Sequence, residues 1–117
     1  ILSTRQLRLI RRIIRDSNYR ACPPEMTLSM WKNVVRGEDH YIRPFRLSAD
    51  YWVDSFHGYE AMVYRPLLLS LLDRPEVRMC PQRETAAALR DAVRCFEELP
   101  LLFVPEDSLL REFLVLP

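Results

Sequence analysis

The sequence predicts an all-α protein, on three observations. Apolar residues recur at helical spacing in several separate stretches, prolines stand at the borders of those stretches, and no run alternates apolar with polar residues as a half-buried strand does. At 117 residues, 49% of them hydrophobic and 28% charged, the chain has the size of one domain and can bury a core without metal or disulfide staples. The expected architecture is a compact bundle of six or seven short helices joined by proline-marked turns. A short solenoid of helical hairpins is the variant, since neighbouring helix pairs begin with proline, although no self-similar repeat supports it.

The first helix is predicted over residues 3–17, "STRQLRLIRRIIRDS". Ser3 or Thr4 caps it, Ser3 having Gln6 three residues on, and Asn18 closes it. "CPPEMTLSMWKNVVRG" is the second, with prolines at its start, Met26, Met30, Trp31, Val34 and Val35 at helical spacing, and Gly37 as its stop. "EDHYIRPFRL" lacks a helical pattern and is expected to be an extended connection with room for one short strand. "SADYWVDSFHG" is expected to be a helix capped by Ser48 and stopped by Gly58, turning Tyr51, Trp52, Ser55 and Phe56 toward neighbours. "YEAMVYRPLLLSLLDRP" is apolar enough for burial, with Pro66 either kinking one helix or starting another. "PQRETAAALRDAVRCFEEL" carries Leu89, Val93 and Phe96 along one face, and "PEDSLLREFLVL" forms the last helix, with Glu106 and Asp107 in a first turn whose dipole favours anions.

The longest apolar runs are too short to span a bilayer, so no membrane partner is expected. Cys22, Cys80 and Cys95 show no CxxC spacing, which suggests neither a disulfide framework nor a zinc finger, and points to a reducing, intracellular setting in cytoplasm or nucleus. Ile1 at one end and Pro117 directly after "FLVL" at the other suggest a piece of a longer scaffold or regulatory protein.

Charge is distributed unevenly. Residues 1–46 carry ten basic against four acidic side chains, and residues 47–117 carry seven against twelve. All but one of the 17 basic residues are arginine, a bias that suits bidentate and stacked contacts and also follows from a GC-rich coding sequence. On a wheel of about 100° per residue, Arg5, Arg8, Arg11, Arg12 and Arg15 fall within an arc of roughly 120°. Leu2, Leu7, Leu9, Ile10, Ile13 and Ile14 fill the other side. Such a helix buries its apolar side in the domain core and leaves a basic face outward, partly neutralised by the acidic second half of the chain. Repulsion among arginines three and four apart costs only on the order of 1 kcal/mol, which a solvated face tolerates.

That face offers three kinds of partner: an acidic protein surface, a nucleic-acid backbone or an anionic membrane. The chain lacks an RNA-recognition sheet signature and a lysine-rich arm, and its pI near 7.9 is low for a dedicated nucleic-acid binder. The apolar side of the helix lacks the interfacial Trp or Phe of a membrane-surface helix.

Signals for chemistry are sparse. Asp54 and His57 stand one helical turn apart with Asp50 a turn earlier, which would let a carboxylate hold an imidazole, but a histidine before a helix-ending glycine also serves the helix dipole. Glu38, Asp39 and His40 fall in an expected loop. Single, widely separated cysteines carry little information about a zinc site, and two glycines, both at apparent helix ends, leave no phosphate-cradling loop. No enzyme, metal or cofactor is expected.

Tyr41, Phe45, Tyr51, Trp52, Phe56, Tyr59 and Tyr64 form a dense aromatic series. Trp52 and Phe56 are assigned to the core, while Tyr41, Phe45 and Tyr59 flank charged loop residues and are assigned to a partner groove. Leu101, Phe103, Phe113 and Leu114 concentrate apolar surface near a chain end, which suits a partner protein or self-association.

The stretch from Thr85 to Leu114 resembles a SOCS box, the helical motif by which substrate adaptors engage elongin and cullin subunits. The likeness lies in a helix containing Leu89, a turn "FVPED", and "LLREFL" with Leu110, Phe113 and Leu114 where the motif has leucine, an aromatic and leucine. Arg90 stands where that motif has a small cysteine and Ala86 where it has leucine. The resemblance implies a ubiquitin-ligase adaptor.

The reading these residues favour is a non-catalytic protein-interaction domain. It docks a partner of acidic or apolar surface through Arg8, Arg12 and Arg15, or through Leu101, Phe103, Phe113 and Leu114, with Tyr41, Phe45 and Tyr59 at the groove. An RNA- or DNA-binding helical domain using the same arginines is the alternative, and the degenerate SOCS-box adaptor a further one.

Overall fold

The computed structural model describes residues 2–114. Every regular element among them is helical. Five α-helices, α1 (Thr4–Tyr19), α2 (Pro24–Gly37), α3 (Glu60–Leu72), α4 (Pro75–Arg78) and α5 (Arg83–Arg94), are supplemented by π and 3-10 turns. The expected six or seven helices are thus corrected to five. Of the segments expected to be α-helical, one carries no regular structure and the last forms only a 3-10 turn, while α4, a single turn started by Pro75, was not foreseen.

Helix α1 begins with a complete capping box: the Ser3 hydroxyl accepts from the Gln6 N–H at 3.1 Å and the Gln6 side chain accepts from the Ser3 N–H at 2.9 Å. It ends where Ala21 takes a left-handed conformation, φ 48°. There the Arg20 and Cys22 amides both donate to the Asp16 carbonyl, which satisfies helix-end groups and reverses the chain into α2.

Helix α2 ends at Gly37 as expected, but the coil does not. The Gly37 backbone is right-handed helical, and the chain passes through it into a π turn, Glu38–Ile42, and a 3-10 helix, Arg43–Ser48. Pro44 has no N–H for an α-helical ladder, so the coil loosens before it and tightens around it instead of extending as expected. Residues 49–57 then carry no regular structure, correcting the helix expected there. The Asp54 carboxylate accepts from the Phe56 N–H at 3.0 Å, a local bond that competes with helix formation.

Helix α3 is one helix with Pro66 inside it. The Met62 carbonyl, four residues before the proline and so deprived of its helical donor, accepts the Leu99 N–H at 3.1 Å. The break that Pro66 imposes therefore anchors the chain that follows α5. That helix ends at Arg94, short of the expected span, and the final predicted helix contracts to a 3-10 turn, Leu109–Glu112, whose Ser108 hydroxyl accepts from Leu110 N–H. The end of that predicted helix, residues 115–117, lies outside the described residues.

The core is continuous. Leu9, Ile10, Ile13 and Ile14 of α1 meet Val63, Tyr64, Leu68, Leu71 and Leu72 of α3, which in turn meet Ala86, Leu89 and Val93 of α5. Leu28, Val77, Val104, Leu110 and Leu114 close it. Among the described residues no helix is long and apolar enough to cross a membrane.

Candidate functional site

The arginines of α1 do not form a uniformly solvated face. Arg11 turns inward. Its guanidinium makes a two-bonded pair with the Glu60 carboxylate, one bond from Nε to Oε1 and a second from a terminal nitrogen to Oε2 at 2.8 Å. It also donates to the Ser55 carbonyl at 2.7 Å, and it lies 4.6 Å from the Phe56 ring centre and 5.4 Å from that of Phe113. Glu60 is fully buried. Burial alone lowers the Arg11 pKa, but the hydrogen bond and charge of Glu60 raise it further, so the guanidinium is held charged. This one pair joins α1, the start of α3 and the end of the irregular 49–57 segment.

Tyr64 packs beside that pair. Its phenol is pushed well above the ordinary tyrosine range, first by burial and then by the charge of Glu60. It remains protonated and is no base or nucleophile near neutral pH.

The other α1 arginines, Arg15 apart, are arranged around carboxylates of the first half of the chain. Arg5 bonds Asp39 at 2.8 Å, Arg8 pairs with Glu38, and Arg12 stands 3.6 Å from Asp16, a carboxylate it shares with Arg20. Among the described residues only Arg11 draws on the second half of the chain, so the first half supplies more of the neutralisation than expected. Asp16 is itself buried and accepts the Thr27 hydroxyl at 3.1 Å, tying α1 to α2. Arg15 meets no carboxylate among the described residues. Arg8, Arg11, Arg12 and Arg15 together line a cleft of about 210 Å³ with Phe113 at its wall.

Beside this cleft runs an exposed strap. Every residue from 39 to 54 is exposed, and Tyr41, Ile42, Phe45, Leu47, Tyr51, Trp52 and Val53 are among them. Leu47, Tyr51 and Val53 are exposed to 88%, 90% and 88%, more than a core would allow. Trp52 is therefore not a core residue. It lies on the surface with Arg46 stacked 4.5 Å from its ring centre and its indole N–H donated to the Arg46 carbonyl at 2.9 Å. Phe56 is half-buried beneath Arg11. Tyr59 is half-buried, edge-on to His57.

The C-terminal apolar residues divide. Phe103 is exposed and Leu101 half-buried; Phe113 packs edge-on against Tyr64, and Leu114 is buried in the core. Arg111 holds this region by donating to the carbonyls of Leu101 and Pro105 at 3.0 and 3.1 Å. Of the residues carrying the SOCS-box likeness, Leu89, Leu110 and Leu114 all enter this chain's own core. Arg90 is buried too, donating to the Leu72 carbonyl at 3.0 Å with Asp73 at 3.7 Å.

Asp54 and His57 share no helix, so the expected one-turn spacing does not exist. Asp54 serves the local turn, while the His57 N–H donates to Glu60 at 3.3 Å. The three cysteines are free, Cys80 buried and Cys95 exposed. No group of three His, Cys, Asp or Glu among the described residues is placed to hold a metal.

Sequence reading missed the exposure of Leu47, Tyr51 and Val53 and the inward turn of Arg11. The wheel narrows the second to two candidates: Arg11 and Arg5 lie at the edges of the arginine arc, beside Leu7 and Leu9. For the strap, Pro44 and the absence of apolar periodicity from 38 to 47 were the available signs. Compared with known proteins, the chain stands apart: no family model, no curated protein and no solved structure matches it.

Proposed function

We propose that this chain is a non-catalytic protein-interaction domain, and that its docking surface is the strap of residues 41–53 with the adjoining arginines of α1. One observation carries the reading. Seven large apolar or aromatic side chains stand exposed within thirteen consecutive residues, and exposed apolar clusters rimmed by polar residues mark interaction sites.

The chemistry of the strap defines the partner. Arg43 and Arg46 alternate with Tyr41, Ile42, Phe45 and Leu47, and Arg5 and Arg8 lie along the same side, sharing a pocket with Ile42, Arg43 and Arg46. The complementary surface is an apolar groove rimmed by carboxylates or other anions. Tyrosine and tryptophan supply contact area at small entropic cost, and arginine supplies orientation.

The test is affinity purification from cells of the wild-type chain beside a variant carrying Leu47→Ser, Tyr51→Ser, Trp52→Ser and Val53→Ser. Purified partners are then remixed and the protection of amides 41–53 is followed by hydrogen exchange. Partners that bind the wild type, protect those amides and are lost from the variant support the reading. Partners retained equally by the variant, at unchanged helix content, defeat it.

A further inference from the structure

We infer that the cleft lined by Arg8, Arg11, Arg12, Arg15 and Phe113 is a binding site for a phosphate monoester carried on a partner's side chain. The inference rests on the interaction reading for the source of the phosphate.

Charge comes first. The four cleft arginines face three carboxylates, Glu38, Glu60 and Asp16, and Arg5 and Arg20 outside the cleft draw on two of the same three, so positive charge is in surplus. The arginines are spaced three, one and three residues apart on one helix, so they converge on one side and repel one another until an anion arrives.

Donor geometry is the second argument. The Nε atoms of Arg12 and Arg15 are shielded from solvent and find no hydrogen-bond partner among the described residues. For Arg12 the nearest carboxylate oxygen is 3.6 Å away, beyond hydrogen-bond reach. Shielded, unpaired guanidinium N–H groups are what acceptor oxygens entering a cleft would satisfy. A lone carboxylate brings one charge and two oxygens. A phosphate monoester near neutral pH brings up to two charges to that surplus and three acceptor oxygens, enough for both shielded N–H groups with one left for a terminal guanidinium nitrogen.

Space and surroundings are the third. A cleft of about 210 Å³ far exceeds the ~30 Å³ share of one water in the liquid, so it admits the phosphoryl group and the first atoms of its carrier. The Phe113 ring offers those atoms an apolar wall. Arg8 lines both this cleft and the pocket with Ile42 and Arg43, so a phosphorylated segment seated here continues onto the strap.

The test is a titration of the ¹⁵N-labelled chain followed by NMR. The probes are N-acetyl phosphotyrosine amide, N-acetyl phosphoserine amide, inorganic phosphate, dimethyl phosphate and acetate. The expected result is that one phosphoamino acid shifts the Nε–H signals of Arg12 and Arg15 and binds at least tenfold tighter than the other three probes. Arg12→Gln with Arg15→Gln is expected to weaken that binding at least tenfold without changing thermal unfolding, because neither side chain makes a buried ion pair at hydrogen-bond distance.

Equal binding of dimethyl phosphate, as a nucleic-acid backbone would give, overturns the inference. So does equal binding of acetate or of free phosphate, or shifts spread over remote arginines such as Arg36 and Arg74, or no binding at all. The strap variant is expected to bind the phosphoamino acid as the wild type does, so failure here leaves partner capture by the strap to be judged separately.

Discussion

Arg11 and Glu60 show how one residue's placement changes the meaning of a pattern. Five arginines on one wheel arc look equivalent, yet Arg11 abandons water for a fully buried carboxylate and two aromatic rings. Removing one member of a buried pair leaves the other charge uncompensated, so Glu60→Ala and Arg11→Met are each expected to cost about 3–5 kcal/mol. The double variant Arg11→Met with Glu60→Leu is expected to cost less than either alone, as urea denaturation of the three would show. Equal, additive losses would mean that the pair is not coupled.

Tyr64 gives a second residue-level expectation. In the folded chain its phenol keeps a proton that the unfolded chain releases above about pH 10. Its contribution to stability is therefore complete below that pH and declines as pH rises past it. Tyr64→Phe is expected to flatten this alkaline decline, measured as the urea midpoint between pH 8 and pH 11, and to change stability at pH 7 by no more than about 1 kcal/mol.

At the scale of elements, the turns decide more than the helices do. Ala21 holds a left-handed backbone that costs a residue with a side chain roughly 1–2 kcal/mol. Ala21→Gly removes that cost and adds unfolded-chain entropy of about 0.5–1 kcal/mol, so a net gain of up to about 1 kcal/mol in thermal or urea unfolding is expected. A loss would show that the Ala21 methyl packs usefully. Helices α1, α2 and α5 were legible because each repeats apolar residues at the helical period and carries a cap or a proline near its start, and α3 because its run is apolar enough for burial. The segment 48–58 was misread because Ser48 and Gly58 imitate helix ends, while its apolar residues find no face of the bundle to cover.

For the whole molecule, the strap makes surface and stability separable. Replacing Leu47, Tyr51, Trp52 and Val53 by serine removes exposed side chains, so the melting temperature should hold, each change staying within about 0.5 kcal/mol. Any concentration-dependent self-association in sedimentation should fall. A collapse in stability would mean that the strap packs on the bundle after all.

The sequence by itself determined the helical class, the capped amphipathic first helix and its apolar core stripe, because spacing, caps and prolines act over a few neighbouring residues. Which arginine turns inward, which aromatics stay outside and which carboxylates face α1 were decided only by tertiary structure. Those outcomes depend on contacts such as Arg11 with Glu60 and Met62 with Leu99, between residues far apart along the chain, whose meeting no local pattern encodes.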